Sequence, residues 1–238
     1  MKVFVQDYRE YKSKPHFHGV YECMLERGHE VIRFVSGDEL ELCEDSIVYG
    51  GVKSVTESLI QLGLEIPDVP TIPNQWKSFA KRKYSVMPFS EISQKIGNNE
   101  FGFFIKPVEH KLFNGCPITC FSDFLKVPHL PPETPIFYSE LKNIISEYRC
   151  IFQFGELKYG AHYTGDFRAA PDWEQIEYFA KNNDSYIQNA IILDFGVTAE
   201  GETILIEAND VISAGYYGTP RHLFCESLEI RWDELKRK

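Results

Sequence analysis

IILDFGV at residues 191–197 and LIEAN at residues 205–209 are two apolar stretches, joined by a glycine-containing turn, and each carries polar side chains. Such a pair predicts two β-strands that form a hairpin. Alternate side chains of a strand share a face, so Glu207 and Asn209 point the same way and Asp194 can face them from the neighbouring strand. Two carboxylates and one amide oxygen are hard ligands, which suit Mg²⁺ better than Zn²⁺. Because a buried carboxylate without a partner is costly, we also expect a positive group nearby.

The composition is that of an ordinary globular protein. The 238 residues are 43% hydrophobic, 25% charged and 14% aromatic, which argues against disordered, collagen-like and coiled-coil classes. Six cysteines are scattered without a repeating spacing, so we interpret them as reduced thiols that act as small hydrophobic residues rather than as a zinc site. They are Cys23, Cys43, Cys116, Cys120, Cys150 and Cys225.

Charge and hydropathy argue against two classes of partner. Lys and Arg total 25 and Asp and Glu total 35, which gives a net charge of −10 and argues against a general nucleic-acid binder. No apolar run is long enough to span a bilayer. The first residues lack the long apolar core of a signal peptide, so we expect a cytoplasmic protein with no membrane partner.

The pattern of strands and helices predicts three successive domains. Alternation of strands and helices over residues 1–72 predicts a small parallel α/β domain. Prolines cluster at residues 66–74 and again at 128–135, and such clusters are typical of boundaries. We therefore expect the second domain at residues 73–135 and the third at 136–238. Helices are expected over residues 16–27, 52–62, 173–181 and 223–236, with a mostly helical, basic segment over 76–96.

A lysine at a strand end predicts a phosphate-binding element. The strand FFIKP at residues 103–107 delivers Lys106 and is followed by a polar loop with Lys111 and Gly115. Lysine offers a point charge to phosphates, and a glycine lets backbone N–H groups approach them. The alternative is an ordinary solvated lysine, and this motif alone does not decide between the two.

Glu147 and Arg149 lie two residues apart on an apolar strand, so they share a face. One interpretation is an exposed ion pair at a sheet edge, which contributes little. The other places Arg149 against a phosphate, with Glu147 orienting it. Residues 210–218, rich in glycine and tyrosine, allow a similar choice between the lining of an acceptor pocket and an ordinary loop.

In chain order these pieces are a lysine-proline strand, a glycine loop, a Glu-x-Arg strand, an Asp strand and a Glu-x-Asn strand. In that order the chain resembles the ATP-grasp superfamily, and within it the small stand-alone amidoligase-like proteins of bacterial and bacteriophage genomes. The resemblance covers about residues 75–220, and its most specific part is Asp194, followed thirteen residues later by Glu207 and then by Asn209. It implies an α/β (α+β) ATP-grasp fold, in which two α+β lobes grip ATP after a small parallel α/β domain.

For the nucleotide, the resemblance implies a set of binding residues. Lys106 would touch the α- and β-phosphates of ATP, and the loop from Lys111 to Gly115 would close over the phosphates. One of three lysines would be the first nucleotide-binding lysine of the family: Lys77, Lys81 or Lys83. The residues that resemble the adenine- and ribose-binding linker strand are Ser139, Glu140 and Leu141.

For the metal and the reaction, the resemblance implies a triad that holds one or two Mg²⁺ ions: Asp194, Glu207 and Asn209. Many members carry an arginine two residues before the first acidic ligand, where this chain has Ile192. Arg149 or Arg168 would have to substitute for it in steadying the transferred phosphoryl group, and Lys106 is the other predicted catalytic group.

The implied activity is an ATP-dependent carboxylate–amine ligase that forms an amide or peptide bond through an acyl phosphate and releases ADP. Its partners would be ATP, a carboxylate substrate and an amine acceptor, either a small molecule or a peptide. Two alternatives stay open. One is an ATP-dependent phosphotransferase on the same fold, and the other is a catalytically silent ATP-binding or interaction protein.

Overall fold

The computed structural model describes residues 1–7, 15–35, 39–109, 112–182 and 188–237. The strands are β1 (Lys2–Gln6), β2 (Glu30–Phe34), β3 (Ile47–Tyr49), β4 (Tyr84–Pro88), β5 (Phe103–Pro107), β6 (Cys116–Ile118), β7 (Pro135–Glu140), β8 (Ile144–Gln153), β9 (Glu156–Gly165), β10 (Ala190–Thr198) and β11 (Thr203–Asn209). The helices are α1 (Pro15–Glu26), α2 (Val52–Gln61), α3 (Lys77–Ala80), α4 (Phe89–Gly97), α5 (Phe121–Phe124), α6 (Trp173–Asn182) and α7 (Arg221–Lys236). Among these described helices, none has both the length and the apolar character that crossing a bilayer requires.

The strands form three sheets. The first has the order β2-β1-β3, and both of its strand pairs are parallel, as the alternation of strands and helices predicted. The second has the order β11-β10-β8-β9, with antiparallel pairing of β10 with β11 and of β8 with β9. The third has the order β4-β7-β5-β6 and is antiparallel.

The chain forms two compact units that are not successive along the sequence. The first unit combines Met1–Gln75 with Ile145–Lys238, and the second consists of Trp76–Ile144. The expected division at residues 72 and 135 followed the proline clusters alone, and as a statement about separate domains it stays a prediction. In the first unit a single hydrophobic core joins the parallel sheet to residues of α1, β10 and α7.

The second unit has its own core beneath the third sheet. Phe89, Ile92 and Ile96 recur at helical spacing on α4 and are buried against Phe103 and Ile105 of β5. Burial of such a face supplies most of the stability of a short helix, because isolated helices of this length are marginal in water.

The prediction of a mostly helical segment over residues 76–96 was wrong in its middle. Lys81 ends the short helix α3 in the left-handed conformation, at φ 47°, and β4 follows and pairs with β7. Pro88 then precedes α4, because proline lacks the N–H that a helix interior needs. The apolar residues of this segment therefore belong first to the strand β4 and then to the helix α4.

Gly165 lies at a position where a side chain has no room. Its φ is +87°, and a Cβ there would lie 2.2 Å from the carbonyl oxygen of Ile145. Gly201, in the turn between β10 and β11, has a similar φ of +82° but open space around it. The two glycines therefore share the conformational requirement and differ in crowding.

We expect Gly165→Ala to lower the free energy of unfolding by about 3 kcal/mol or more, since left-handed strain and a backbone clash add together. Gly201→Ala, the matched control, carries only the strain and should cost about 1–2 kcal/mol. Urea unfolding followed by tryptophan fluorescence measures both. Equal costs for the two variants would show that the contact with Ile145 is not a constraint.

Candidate active site

The hairpin of β10 and β11 brings three polar side chains together. Asp194 lies directly opposite Glu207 in the strand register, and the register shifts immediately after Asp194. The Asn209 side-chain amide donates to Asp194 Oδ2 at 3.2 Å and to Glu207 Oε1 at 3.0 Å. The same-face pattern read from the strands therefore corresponds to a real cluster, which we call the acidic cluster.

Arg149 on β8 is the positive group of the acidic cluster. Its Nε and one terminal nitrogen donate to the two oxygens of Asp194 at 2.8 and 2.6 Å, and its other terminal nitrogen donates to the Gly215 carbonyl at 2.7 Å. Asp194 is 1% exposed and Arg149 6%. Paired guanidinium N–H groups match a carboxylate in both geometry and charge, so this bidentate pair offsets the burial of both groups.

Glu147 does not supply the orientation that the sequence analysis assigned to it. The Tyr163 hydroxyl donates to Glu147, whereas Asp194 is the carboxylate that holds Arg149. The pairing of β8 with β9 shifts register between Glu147 and Tyr148. The extra residue at this shift is Tyr163 on β9, so Glu147 and Arg149 keep the regular alternation of β8 but have different partners, Tyr163 and Asp194.

Two tyrosines that the sequence analysis did not single out flank Arg149. The guanidinium carbon lies 4.4 Å from the centre of the Tyr217 ring and 5.7 Å from that of Tyr163. Burial raises the pKa of Tyr163, and the charges of Asp194 and Glu147 raise it further. Tyr163 therefore stays neutral, and both rings offer π-faces to the cation. The only sequence signal for either was the tyrosine-rich segment 210–218, which contains Tyr217.

A second buried ion pair anchors the end of β11. Arg231 on α7 is 2% exposed, and its Nε and one terminal nitrogen donate to Asp210 Oδ2 at 3.0 and 2.8 Å. Asp210 also accepts from the backbone N–H of Ile212 and so caps the following turn. Asn209, the neighbour of Asp210, is thereby held at a fixed position relative to α7.

The electrostatics of the acidic cluster favour a cation. Burial raises the pKa of Asp194 to about 6, the bond and charge of Arg149 oppose that rise, and the neighbouring Glu207 carboxyl adds to it. Asp194 and Glu207 thus place two carboxyl groups beside the guanidinium of Arg149, and a cation bound there would lower the cost of ionising both.

The donor set fits Mg²⁺. Glu207 and Asp194 supply carboxylate oxygens, and Asn209 supplies an amide oxygen once its side chain turns over, because its NH₂ group faces the carboxylates here. A cation would replace the amide protons and any proton shared by the two acids. The assignment of these residues as metal ligands stays a prediction.

The strand lysine lies in the second unit. Lys106 is half-buried on β5, with its Nζ 5.9 Å from the centre of the Phe137 ring. Gly115 precedes β6 beside it, and a Cβ at Gly115 would lie 2.6 Å from Phe104 Cζ and 3.0 Å from Lys106 Cβ. A glycine is needed there for close approach of the loop to the strand. Lys111, the other predicted residue of this loop, lies outside the described residues.

The remaining predicted nucleotide-binding lysines belong to the same unit. Lys77 on α3 has its Nζ 6.0 Å from the ring centre of Tyr84, and that of Lys81 is 5.8 Å from the ring centre of Phe79. Both lysines are exposed or half-exposed, as a phosphate-binding role requires. The assignment of one of them as the first nucleotide-binding lysine stays a prediction.

The predicted linker strand is the end of β7. Ser139 is buried and lies opposite Tyr84, whereas Glu140 and Leu141 are exposed. Glu140 accepts from the Lys83 backbone N–H at 3.0 Å, and its own N–H donates to the Lys83 carbonyl at 2.9 Å. The carboxylate expected to meet ribose is thus in contact with the start of β4.

Arg168 differs from Arg149 in its surroundings. Its Nε and a terminal nitrogen each donate to Asp166 at 2.9 Å, and most of its side chain is exposed. Of the two arginines proposed to compensate for Ile192, only Arg149 is placed in the acidic cluster by contacts among the described residues.

Comparison with known proteins gives one family and several similar folds. Residues 79–227 match the model of a family described as "ATP-grasp domain, R2K clade family 2". The chain is similar to the D-cycloserine synthetase DcsG, with 10% identity over 98% of this chain and 100% of that chain and a TM-score of 0.63. It is also similar to the D-alanine–D-alanine ligase of Bacillus anthracis, with 10% identity over 100% of this chain and 99% of that chain and a TM-score of 0.58.

A third similar structure is that of the ATP-grasp ligase PsnB complexed with a phosphomimetic variant of its minimal precursor, Mg and ADP. It is 13% identical over 95% of this chain and 97% of that chain, with a TM-score of 0.52. Comparison with curated proteins gives no match.

We expect Asp194→Asn to lower the free energy of unfolding by about 3–5 kcal/mol, because Arg149 is left charged and buried without a counter-ion. The double variant Arg149→Met/Asp194→Leu removes both charges and should recover most of that loss. Urea unfolding measures both, and Glu156→Gln, which breaks the exposed pair with Lys158, is the control with a much smaller effect. A double variant no more stable than Asp194→Asn would contradict this account.

Affinity of the acidic cluster for Mg²⁺ should fall as the pH is lowered through about 6. Above that pH Asp194 is ionised and ready to bind, whereas below it the cation must displace a proton. Calorimetric titration of Mg²⁺ with nucleotide present, in two buffers of different ionisation enthalpy, should detect proton release at about pH 5 and little at about pH 8. Equal proton release at both pH values would contradict the raised pKa.

Proposed function

This chain belongs to R2K clade family 2 of the ATP-grasp domains, and we propose from that premise that it is an ATP-dependent ligase that joins a carboxylate to an amine. The fold is the α+β ATP-grasp fold that the sequence resemblance implied. ATP and Mg²⁺ are the proposed co-substrate and metal, and the carboxylate and the amine belong to small molecules or peptides.

The observation that carries this proposal is the acidic cluster. It combines two carboxylates and an amide at adjacent strand positions with a buried arginine, in a protein of net charge −10. Three polar side chains gathered on apolar strands are costly to the fold unless they bind something. When bound, Mg²⁺ would neutralise charge on the β- and γ-phosphates and orient them.

Arg149 is suited to steady the transferred phosphoryl group. A guanidinium carries five N–H donors, and the bonds to Asp194 and Gly215 use three of them. Two N–H groups are left to donate to an oxyanion while the ion pair stays intact. The rings of Tyr163 and Tyr217 confine the guanidinium, so its direction is set before substrate arrives. In this way Arg149 takes the role that the residue at position 192 has in many relatives.

The proposed reaction has two steps. The substrate carboxylate attacks the γ-phosphorus of ATP, the bond to the β–γ bridging oxygen breaks, and an acyl phosphate and ADP result. The amine then attacks the acyl carbon, phosphate leaves, and an amide forms with loss of one proton. Lys106 would contribute positive charge to the phosphates of ATP during the first step. Exclusion of water matters because the acyl phosphate would otherwise hydrolyse.

The test is a screen of amino acids and short peptides for Mg²⁺-dependent release of ADP, with mass detection of the product. Glu207→Gln removes one predicted ligand charge from a half-buried position and should reduce turnover by about 100-fold or more. Glu200→Gln, in the exposed turn of the same hairpin, is the matched control and should behave like the parent. Glu207 is preferable to Asp194 here because its loss leaves the Arg149 ion pair in place.

The outcomes separate the alternatives. ADP together with a condensed product supports the ligase. ADP with a phosphorylated acceptor and no amide would replace it by a phosphotransferase, and ATP binding without turnover in the whole screen would favour the silent protein. If Glu207→Gln turns over ATP as fast as the parent, the acidic cluster is not the metal site.

A further inference from the structure

Helices α1 and α7 of the first unit pack against each other and bring together four side chains of metal-binding types. Cys23 and Glu26 lie three residues apart on α1, and His222 and Cys225 lie three residues apart on α7. Residues at that spacing are neighbours on one helix face. Each helix therefore directs a pair of such residues toward the other helix.

The distances within this group are short. Cys23 Sγ lies 3.5 Å from His222 Nδ1, and His222 Nε2 lies 4.0 Å from Glu26 Oε2. One ligand atom from each of Cys23, Glu26 and His222 lies within 4.8 Å of the others. The Cys225 thiol interacts with that of Cys23. Both thiols are buried, whereas His222 and Glu26 are exposed, so the group opens to solvent on one side.

The separation of sulfur and nitrogen in this group is that of a tetrahedral metal site. A Zn–S bond of about 2.3 Å and a Zn–N bond of about 2.0 Å, at the tetrahedral angle, place sulfur and nitrogen about 3.5 Å apart. Thiolate, imidazole and carboxylate are ligands that Zn²⁺ and similar transition metals prefer, whereas Mg²⁺ prefers oxygen alone. This group thus differs in chemistry from the acidic cluster.

The neighbouring charges leave the required atoms accessible. Arg221 donates to Glu26 Oε1 at 2.8 Å and to Glu22 at 3.1 Å, and the other oxygen of Glu26 faces His222. Arg27, at the end of α1, is paired with Glu229 at 2.8 Å. Arg221 is therefore paired with Glu22 and with one oxygen of Glu26, and Arg27 is paired with Glu229.

We propose that Cys23, Glu26 and His222 bind a divalent transition-metal cation of the Zn²⁺ type, with Cys225 as the nearest further donor. The cation clamps the end of α1 to the start of α7 and so ties residues near position 23 to residues about two hundred positions later. This site does not depend on the proposed ligase activity.

The test uses the whole chain, reduced and freed of metal by a chelator. Titration with Co²⁺ should produce thiolate-to-metal charge-transfer absorption with one equivalent bound, and Zn²⁺ should abolish that absorption by displacement. His222→Ala and Glu26→Gln should each weaken binding by more than about 100-fold, the upper range reported for loss of an outer-shell partner. Zn²⁺ should raise the Tm of the parent and leave that of His222→Ala unchanged.

The test substitutes the exposed ligands Glu26 and His222, because Cys23→Ser changes a core position and could unfold the chain. His18→Ala is the matched control, since His18 forms an exposed pair with Glu22 on the same helix at 3.2 Å without a thiol. The double variant Cys43→Ser/Cys120→Ser removes the exposed thiols and should keep the absorption. The proposal is overturned if the parent gives no thiolate absorption, or if His222→Ala binds Co²⁺ as tightly as the parent.

Discussion

The ion pair between Arg149 and Asp194 is the constraint on which the candidate active site depends. Taking two charges out of water costs several kcal/mol per ion, and only good geometry and further hydrogen bonds offset that cost. Both oxygens of Asp194 are engaged by Arg149, and the remaining guanidinium nitrogen holds the Gly215 carbonyl. The pair therefore joins β8, β10 and the segment after β11. It also determines the electrostatic environment of Glu207 and Asn209.

The sequence predicted those features that depend on residues close together in the chain. The hairpin of β10 and β11 could be predicted because its strands are adjacent in the chain, so Asp194 could be expected to face Glu207, whereas the register shift after Asp194 could not be predicted. The partner of Asp194 could not, because β8 and β10 are neighbours in the sheet but not along the chain. Alternation along β8 also could not reveal that Glu147 pairs with Tyr163, which is the extra residue of a bulge on the neighbouring strand β9. The pattern of adjacent strands predicts a hairpin, whereas the order of strands in the sheet decides that Asp194 of β10 pairs with Arg149 of β8.

The first unit also holds two donor sets of opposite character. The acidic cluster offers only oxygen donors, whereas the group at α1 and α7 offers sulfur and nitrogen beside one carboxylate. Selectivity between hard and soft cations follows from donor type. Neither set competes strongly for the ion preferred by the other, so an excess of Mg²⁺ would leave the thiol-containing group available. The scattered cysteine spacing concealed this group, because its two halves come from distant parts of the chain.

The shared core of the first unit has a consequence for the order of folding during synthesis. Its parallel sheet is made before the second unit, yet the core that covers this sheet includes residues of β10 and α7, which the ribosome adds after the second unit. The second unit is continuous in sequence and has its own core, so its contacts can form as soon as it has emerged. Until then, the apolar surface of β1 to β3 that β10 and α7 cover in the folded protein stays exposed to solvent. Edge-to-edge association can compete with folding during that interval, so the cover that β10 and α7 supply also protects the parallel sheet from association.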